Sequence, residues 1–194
     1  MSVRSHHRLV ASTVFVLTFA VGFASSASAG PPRGRFAVGD SIMLSTKDEL
    51  RPLGYGVNAK VGRQFGPGVW IVRHKAEDGT LPKRVVVHLG TNGTIDPRDC
   101  DRLVEQASSA RRVFLVTIKV PRSWEGPNND TLVSCASRHD KVHVIRWWSK
   151  SHDRPEWFAD DGYHLNADGQ SIFARFVDRK VDAALAELRG EGAR

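Results

Sequence analysis

Short apolar runs that alternate with helical patterns are the feature that most restricts how this chain can fold. Residues 85–89 (VVVHL) and 113–120 (VFLVTIKV) are continuous and rich in β-branched side chains, which is typical of strands buried on both faces of a sheet. The other predicted elements are strands at 35–38, 56–61 and 142–147 and helices at 97–110, 128–137 and 172–188. This alternation predicts an α/β protein whose parallel sheet is covered by helices on both faces.

Polar motifs follow three of the predicted strands, and a fourth precedes the last predicted helix. In chain order they are Gly39-Asp40-Ser41, Gly62-Arg63-Gln64, Gly90-Thr91-Asn92-Gly93 and Asp161-Gly162-Tyr163-His164. Each motif alone has the composition of an ordinary turn. Open parallel sheets bind their ligands outside the carboxyl ends of the strands, however, so a functional site is expected where these motifs meet.

Together the four motifs contain the groups that acyl transfer through a serine requires. Ser41 is the candidate nucleophile, and His164 is the candidate base that takes its proton. Asp161 lies three residues before His164 and can hold the imidazole in the required tautomer. The backbone N–H groups of Ser41 and Gly62 and the side-chain amide of Asn92 are candidate donors to the oxyanion of the tetrahedral intermediate. Because glycine has no Cβ, Gly62 is expected to let the backbone approach closely.

This set of motifs resembles the SGNH (GDSL-type) hydrolase family, whose name is spelled by Ser41, Gly62, Asn92 and His164. The order of the motifs is that of the family, and they span most of the chain. The resemblance implies a three-layer α/β/α sandwich around a five-stranded parallel sheet, which is the flavodoxin-like SGNH hydrolase fold. It also implies a Ser–His–Asp triad that works with neither a metal ion nor another cofactor.

A narrower resemblance concerns the segments GDSIM, VGRQ, HLGTNG, VPRSWE followed by Asn, and DGYHL. They are similar to the extracytoplasmic SGNH domain of cell-wall polysaccharide O-acetyltransferases. In those proteins the domain is commonly fused to a multi-span membrane acyltransferase, which this sequence lacks. We therefore expect a serine esterase that hydrolyses short-chain acetyl esters of an acylated carbohydrate or a small molecule. An O-acetyltransferase acting on cell-wall glycan is the first alternative, and a non-catalytic wall-binding module is the second.

Three residues close to the motifs are candidates for substrate binding. Arg63 and Gln64 either line the pocket or only shape the loop that follows the second strand. Trp124, which follows the fourth strand, is a candidate wall of the acyl or sugar site. Asp40 and His88 are interpreted as structural residues: Asp40 caps the turn that presents the nucleophile, and His88 packs inside the sheet.

The remaining histidines and the two cysteines do not form a metal-binding pattern. No zinc-ligand spacing to cysteine or carboxylate residues is found for His74, His139, His143 and His152. Cys100 and Cys135 are the only cysteines, and in an exported protein such a pair favours a disulfide. Two free buried thiols are the alternative.

The first residues have the layout of a secretory signal peptide. A basic head precedes an apolar stretch at residues 9–24, and Ala27-Ser28-Ala29 places small residues before a cut at Gly30. The apolar stretch is shorter than the about 20 residues that a spanning helix needs, so an uncleaved membrane anchor is the less favoured alternative. We predict a signal at residues 1–29, one domain at residues 30–194, a secreted protein and no stable membrane insertion after cleavage.

The charge of the chain bears on its partners. The full sequence has 28 Lys and Arg residues against 21 Asp and Glu residues, and loss of Arg4 and Arg8 with the signal lowers the net charge from +7 to +5. A secreted basic protein is expected to associate with anionic cell-wall polymers. Nucleic acid is not an expected partner, because the basic residues are scattered along the chain. We expect a monomer.

Overall fold

A five-stranded, all-parallel sheet organises the protein. The structure is a computed structural model that describes residues 34–191, so the predicted signal peptide lies outside the described residues. The strands are β1 (Arg35–Gly39), β2 (Tyr55–Ala59), β3 (Arg84–His88), β4 (Arg112–Val116) and β5 (Val142–Ile145). Their order across the sheet is β2-β1-β3-β4-β5, the flavodoxin-like order, which confirms the predicted fold class.

Helices cover both faces of this sheet and complete the three layers. The helices are α1 (Ser41–Ser45), α2 (Lys47–Leu50), α3 (Phe65–Glu77), α4 (Pro97–Gln106), α5 (Glu125–Ser137), α6 (Trp147–Ser151) and α7 (Ala167–Glu191), with a 3-10 turn at Pro155–Trp157. Helices α3, α4 and α5 pack on one face, and α1, α2, α6 and α7 pack on the other. Within residues 34–191 no helix combines the length and the hydropathy that crossing a bilayer requires.

The strand sequences explain why both faces are covered. Successive side chains of a strand point to opposite faces, and here both sets are apolar. Val85 and Val87 pack against the layer of α3 to α5, whereas Val86 packs against the layer of α7. All three are almost completely buried. The continuous apolar runs in the sequence therefore correspond to central strands with a core on each side.

Several elements begin or end at other residues than predicted, and for β4 the structure shows why. Strand β4 ends at Val116 rather than at residue 120, because the side chain of Asn129 accepts the N–H of Ile118 at 2.8 Å and donates to its carbonyl at 2.9 Å. This amide takes the place of a neighbouring strand. Strand β5 ends before Trp147, which begins α6. Helix α5 begins at residue 125 instead of residue 128, and α4 ends four residues early.

Helix α3 was not predicted, because its first turn contains Gly66, Pro67 and Gly68. Such a composition is typical of a loop. The first turn of a helix tolerates proline, since the N–H groups there have no partner within the helix. Gly68 is needed for packing, because a Cβ at this position would overlap the side chain of Leu89. The segment at residues 65–68 is thus a helix start pressed against the sheet.

The predicted disulfide between Cys100 and Cys135 is confirmed. The two residues lie on the adjacent helices α4 and α5, their Cα atoms are 6.2 Å apart, and both are fully buried. The bond joins positions 35 residues apart within the core on one face of the sheet.

Removal of this disulfide is expected to destabilise the protein without changing its chemistry. In the chain-entropy view, a loop of this length gives a stabilisation of about 4 kcal/mol. The Cys100→Ala/Cys135→Ala double variant should therefore lose about that much free energy of unfolding, measured by urea denaturation with the oxidised wild type as reference. Turnover per folded molecule should be unchanged. An unfolding midpoint equal to that of the wild type would contradict this expectation.

Candidate active site

Ser41 is presented by a tight turn between β1 and α1. It is the first residue of α1, and the preceding Asp40 caps that helix by accepting the N–H of Ile42 at 3.0 Å. Gly39 is required there, because a Cβ at its position would overlap the side chain of Met43. Ser41 itself is 9% exposed. The predicted capping role of Asp40 is confirmed, and the turn places the serine at the carboxyl end of a central strand.

His164 and Asp161 complete a line of hydrogen bonds that starts at Ser41. The His164 Nε2 atom lies 3.0 Å from the Ser41 Oγ atom, and its Nδ1 atom lies 2.6 Å from the Asp161 Oδ2 atom. An ionised carboxylate can only accept hydrogen bonds, so Nδ1 carries the proton and Nε2 directs its lone pair at the serine hydroxyl. The three residues are separated by up to 123 positions in sequence, and the fold brings them together.

Asp161 is held in its ionised form by its neighbours. Its Oδ1 atom accepts the backbone N–H groups of Tyr163 at 3.1 Å and His164 at 2.9 Å. Burial raises the pKa of this carboxyl, but the hydrogen bonds from the His164 side chain and from these backbone groups outweigh it, so that the pKa is below the ordinary value for aspartate. The carboxylate is thus available to orient the imidazole.

The loop that carries Asp161 and His164 is anchored at two places. An antiparallel bridge joins Phe158 to Leu165 at its base. At its tip, the Lys119 ammonium donates to the carbonyl of Gly162 at 2.7 Å while lying 5.0 Å from the centre of the Phe158 ring. The role of Lys119 was not predicted from the sequence. A lysine near the end of the otherwise apolar run VFLVTIKV was the feature that could have indicated it.

Two of the predicted oxyanion donors lie side by side on the loops after β2 and β3. The Asn92 Nδ2 atom is 3.4 Å from the carbonyl oxygen of Arg63, the residue that follows Gly62. Gly62 has a φ of 71°, a left-handed conformation that favours glycine. No described atom lies within 4 Å of where its Cβ would be. The left-handed conformation is thus one reason for glycine at this position, and its close approach to a substrate oxyanion stays a prediction.

Arg63 ties this loop to the strand that ends at the nucleophile. Its guanidinium donates to the carbonyl of Gly39 at 3.1 Å and to the carbonyl and side-chain oxygens of Asn58 at 2.7 and 2.8 Å. Burial lowers the pKa of Arg63 below its ordinary value, and the negative charge of Asp40 raises it by a smaller amount. Of the two alternatives for this residue, these bonds favour shaping the loop. A substrate-binding role for Arg63 stays a prediction.

The other two candidates for substrate binding lie at helix starts on the same edge of the sheet. Gln64 is exposed and precedes α3. Its side-chain amide lies near Gly93: a Cβ built on Gly93 would be 3.7 Å from the Gln64 Nε2 atom. Trp124 is half-buried and precedes α5. Substrate binding by either residue stays a prediction.

A buried asparagine that follows the VPRSWE segment holds the loop of Asn92. The Asn128 side chain donates to the carbonyls of Gly90 at 2.9 Å and Gly93 at 2.8 Å, and its oxygen accepts the N–H of Ile95 at 2.8 Å. Both N–H groups and the oxygen of this amide thus fix the Gly-Thr-Asn-Gly turn. The narrower resemblance includes an asparagine after VPRSWE, but the sequence assigned no role to it.

His88 is packed inside the protein, as predicted, and lies beside Asp40. It is 1% exposed, its Nδ1 atom lies 3.4 Å from the Asp40 Oδ1 atom, and its ring meets Phe173 edge to face at 5.4 Å. The Asp40–His88 pair therefore supports the turn from inside the protein.

Among residues 34–191, one group of possible metal ligands occurs away from this site. Ligand atoms of Asp101, Cys135 and His139 lie within 4.8 Å of one another. The Cys135 sulfur is bonded to Cys100, however, and Asp101 accepts hydrogen bonds from His139 and Arg138. The same hydrogen bonds hold the pKa of Asp101 below its ordinary value. We interpret this group as an ion-pair network beside the disulfide.

The fold is the one that SGNH-type hydrolases have, and comparisons with known proteins find relatives of part of the chain. No protein-family model matches the chain. YrhL of Bacillus subtilis is 33% identical over 143 residues, which are 73% of this chain and 22% of that protein. The peptidoglycan O-acetyltransferase OatA of Listeria monocytogenes is 30% identical over 143 residues, 73% of this chain and 23% of that protein. The chain thus spans less than a quarter of the length of these relatives.

A solved structure shows the same fold. The C-terminal catalytic domain of Streptococcus pneumoniae peptidoglycan O-acetyltransferase A superposes with a TM-score of 0.71 at 21% identity, over 81% of this chain and 97% of that domain. The chain has the SGNH (GDSL-type) hydrolase fold, and part of it is similar in sequence to peptidoglycan O-acetyltransferases.

Asn92→Ala is expected to lower kcat by about 10²–10³ with a smaller effect on KM, as for the loss of one oxyanion donor. Steady-state kinetics on an acetyl ester would measure this. Thr94→Ala, an exposed change in the same loop, is the matched control and should behave as wild type. A change confined to KM would show that Asn92 binds substrate and does not stabilise the transition state.

Proposed function

We propose that this protein is a secreted serine esterase that removes acetyl and other short acyl groups from cell-wall or related polysaccharides. The observation that carries the proposal is the continuous hydrogen-bond line from the Ser41 hydroxyl through the His164 imidazole to the Asp161 carboxylate, at 3.0 and 2.6 Å. Such a line activates a serine that would otherwise be a poor nucleophile. The peptidoglycan O-acetyltransferase relative supports a wall glycan as the substrate class.

The proposed reaction proceeds in two halves. In the first, His164 Nε2 takes the proton of Ser41 as Oγ attacks the ester carbonyl carbon, and the oxyanion receives hydrogen bonds from Ser41 N–H, Gly62 N–H and the Asn92 amide. The same proton then passes to the departing sugar oxygen, which leaves an acetyl-Ser41 ester. In the second half, His164 takes a proton from water, the hydroxide adds to the acyl carbon, and acetate departs as Oγ is reprotonated.

Access of water to the site favours hydrolysis over transfer. The side chains of His164 and Asp161 are 38% and 41% exposed, and the loop at Gly62 is exposed as well. Transfer to a sugar would require that water be excluded and an acceptor be held in place. Similarity to a peptidoglycan O-acetyltransferase supports O-acetyl transfer to wall glycan as the second candidate.

The choice between these reactions is tested by supplying 4-nitrophenyl acetate together with chitotetraose or xylotetraose and following the products by mass spectrometry. We expect free acetate to exceed acetylated sugar at millimolar acceptor, and hydrolysis to fall steeply for acyl chains longer than butyryl. Acetylated sugar in excess would identify a transferase. Turnover of neither kind, in folded protein, would favour the non-catalytic wall-binding module.

We also propose that residues 1–29 direct export and are removed, so that residues 30–194 form the mature domain. The buried disulfide supports an oxidising compartment, and the basic charge supports association with anionic wall polymers. Amino-terminal sequencing of protein recovered outside the cytoplasm should begin at Gly30.

A further inference from the structure

A second cleft opens at the carboxyl ends of β4 and β5. It encloses about 300 Å³ between the first turn of α5, the start of α6 and the end of β4. Its lining includes Thr117, Asn129, Asp130, Arg146, Trp148 and Ser149. This composition, one aromatic ring among a few polar groups, is that of a small-molecule subsite.

Trp148 is held in place although it is 37% exposed. Its indole Nε1 donates to the Glu125 carboxylate at 2.6 Å, and its ring stacks on His152 with centres 4.4 Å apart and planes 11° apart. Its backbone N–H donates to the Thr117 hydroxyl at 2.8 Å. A large aromatic side chain fixed at the surface in this way offers a preformed apolar platform that loses little entropy on binding.

The polar groups beside this platform suit a sugar. Asp130, Arg146 and Ser149 are exposed on the cleft wall and offer a carboxylate, a guanidinium and a hydroxyl. Sugar hydroxyls both donate and accept hydrogen bonds, while the C–H groups on one face of a pyranose are apolar. A pyranose ring could place its apolar face on the indole of Trp148 and form hydrogen bonds from its hydroxyls to the charged groups at the edge.

The cleft and Ser41 lie on the same edge of the sheet at a distance suited to one polymer chain. In the strand order, β4 is two positions and β5 three positions from β1, which carries the nucleophile. With adjacent strands about 4.8 Å apart, the two places are separated by roughly 10–14 Å. The segment after β4 connects the two places. Glu125, which bonds Trp148, also accepts the N–H of Val120, and the neighbouring Lys119 donates to the carbonyl of Gly162 in the loop of His164.

We infer that this cleft, hereafter the Trp148 cleft, binds a sugar residue of the polysaccharide chain at a position remote from the ester that Ser41 attacks. The inference rests on the proposed function for its polymeric substrate. It names the substrate class as an extended oligosaccharide or polysaccharide and excludes an isolated small ester as the preferred ligand.

The kinetic test compares Trp148→Ala with Trp70→Ala on two substrates. Trp70 is an exposed tryptophan on α3, 56% accessible, and serves as the matched control. For Trp148→Ala, the ratio of kcat/KM on O-acetylated xylotetraose or chitotetraose to that on 4-nitrophenyl acetate should fall about tenfold, the loss of one aromatic stacking contact. Trp70→Ala should keep the wild-type ratio. An unchanged ratio in Trp148→Ala, or an equal fall in both variants, would overturn the inference.

A binding measurement separates this inference from the proposed function. In Ser41→Ala protein, which cannot turn over, titration with chitotetraose or xylotetraose should shift the indole N–H resonance of Trp148 in a ¹H–¹⁵N spectrum. The resonance is assigned by its loss in Trp148→Phe, and Asp130→Ala should weaken the titration without removing the ring. A shift in Ser41→Ala, together with a wild-type protein that hydrolyses no ester, would retain the subsite and reject the esterase. Absence of a shift with both sugars would reject the subsite, whatever the activity.

Discussion

Ser41→Ala is expected to lower kcat on acetyl esters by about 10⁴–10⁶ while leaving the fold intact. In the proposed reaction the hydroxyl oxygen bonds to the acyl carbon, and in the structure this hydroxyl contacts the His164 imidazole. Kinetics on 4-nitrophenyl acetate measure the loss, and circular dichroism with urea denaturation should give a free energy of unfolding within about 1 kcal/mol of wild type.

A matched control lies one turn further along the same helix. Ser45 donates to the carbonyl of Ile42 at 2.9 Å and does not reach His164, so Ser45→Ala should retain activity. A fluorophosphonate probe should label the wild type at Ser41 alone. Labelling at another residue, or none in a folded sample, would count against a serine enzyme.

His164→Ala should be nearly as damaging as loss of the nucleophile, because no other base lies in hydrogen-bond contact with the Ser41 hydroxyl among residues 34–191. Asp161→Asn should be milder, with kcat reduced by about 10²–10⁴. The asparagine oxygen can still accept the backbone N–H groups of Tyr163 and His164, so this change removes the negative charge and leaves the turn in place. Steady-state kcat values measure both effects.

The control for the second prediction is the neighbouring carboxylate. Asp160→Asn alters an exposed residue of the same loop and should leave kcat as in wild type. A silent Asp161→Asn beside a damaging Asp160→Asn would show that the wrong carboxylate has been assigned. Since the pKa of Asp161 is depressed, its carboxylate stays ionised below the ordinary range for aspartate, and its contribution should persist as the pH is lowered into that range.

These variants address a site whose parts were visible in the sequence only as separate turns. Composition and periodicity predicted the five strands, the parallel sheet and the two-sided covering of helices, because an apolar run buried on both faces is a local property of the chain. The order of the motifs predicted which residues form one site. The structure shows that they meet: Ser41 and His164 are separated by 123 positions in sequence, and their Oγ and Nε2 atoms are 3.0 Å apart.

The sequence by itself determined the five strands, their burial on both faces and helices α4, α5 and α7, whereas the tertiary structure alone decided what holds the candidate site together. Asn128 fixes the loop of Asn92, Asn129 ends β4, and Lys119 holds the loop of His164, and the sequence assigned a role to none of the three. Helix α3 begins at Phe65, just before a Gly-Pro-Gly segment, and Gly68 packs against the side chain of Leu89. All four features depend on contacts between residues that are distant in sequence. Propensity and periodicity act between neighbours in sequence, while a side-chain hydrogen bond to a distant loop exists only after packing has brought its partners together.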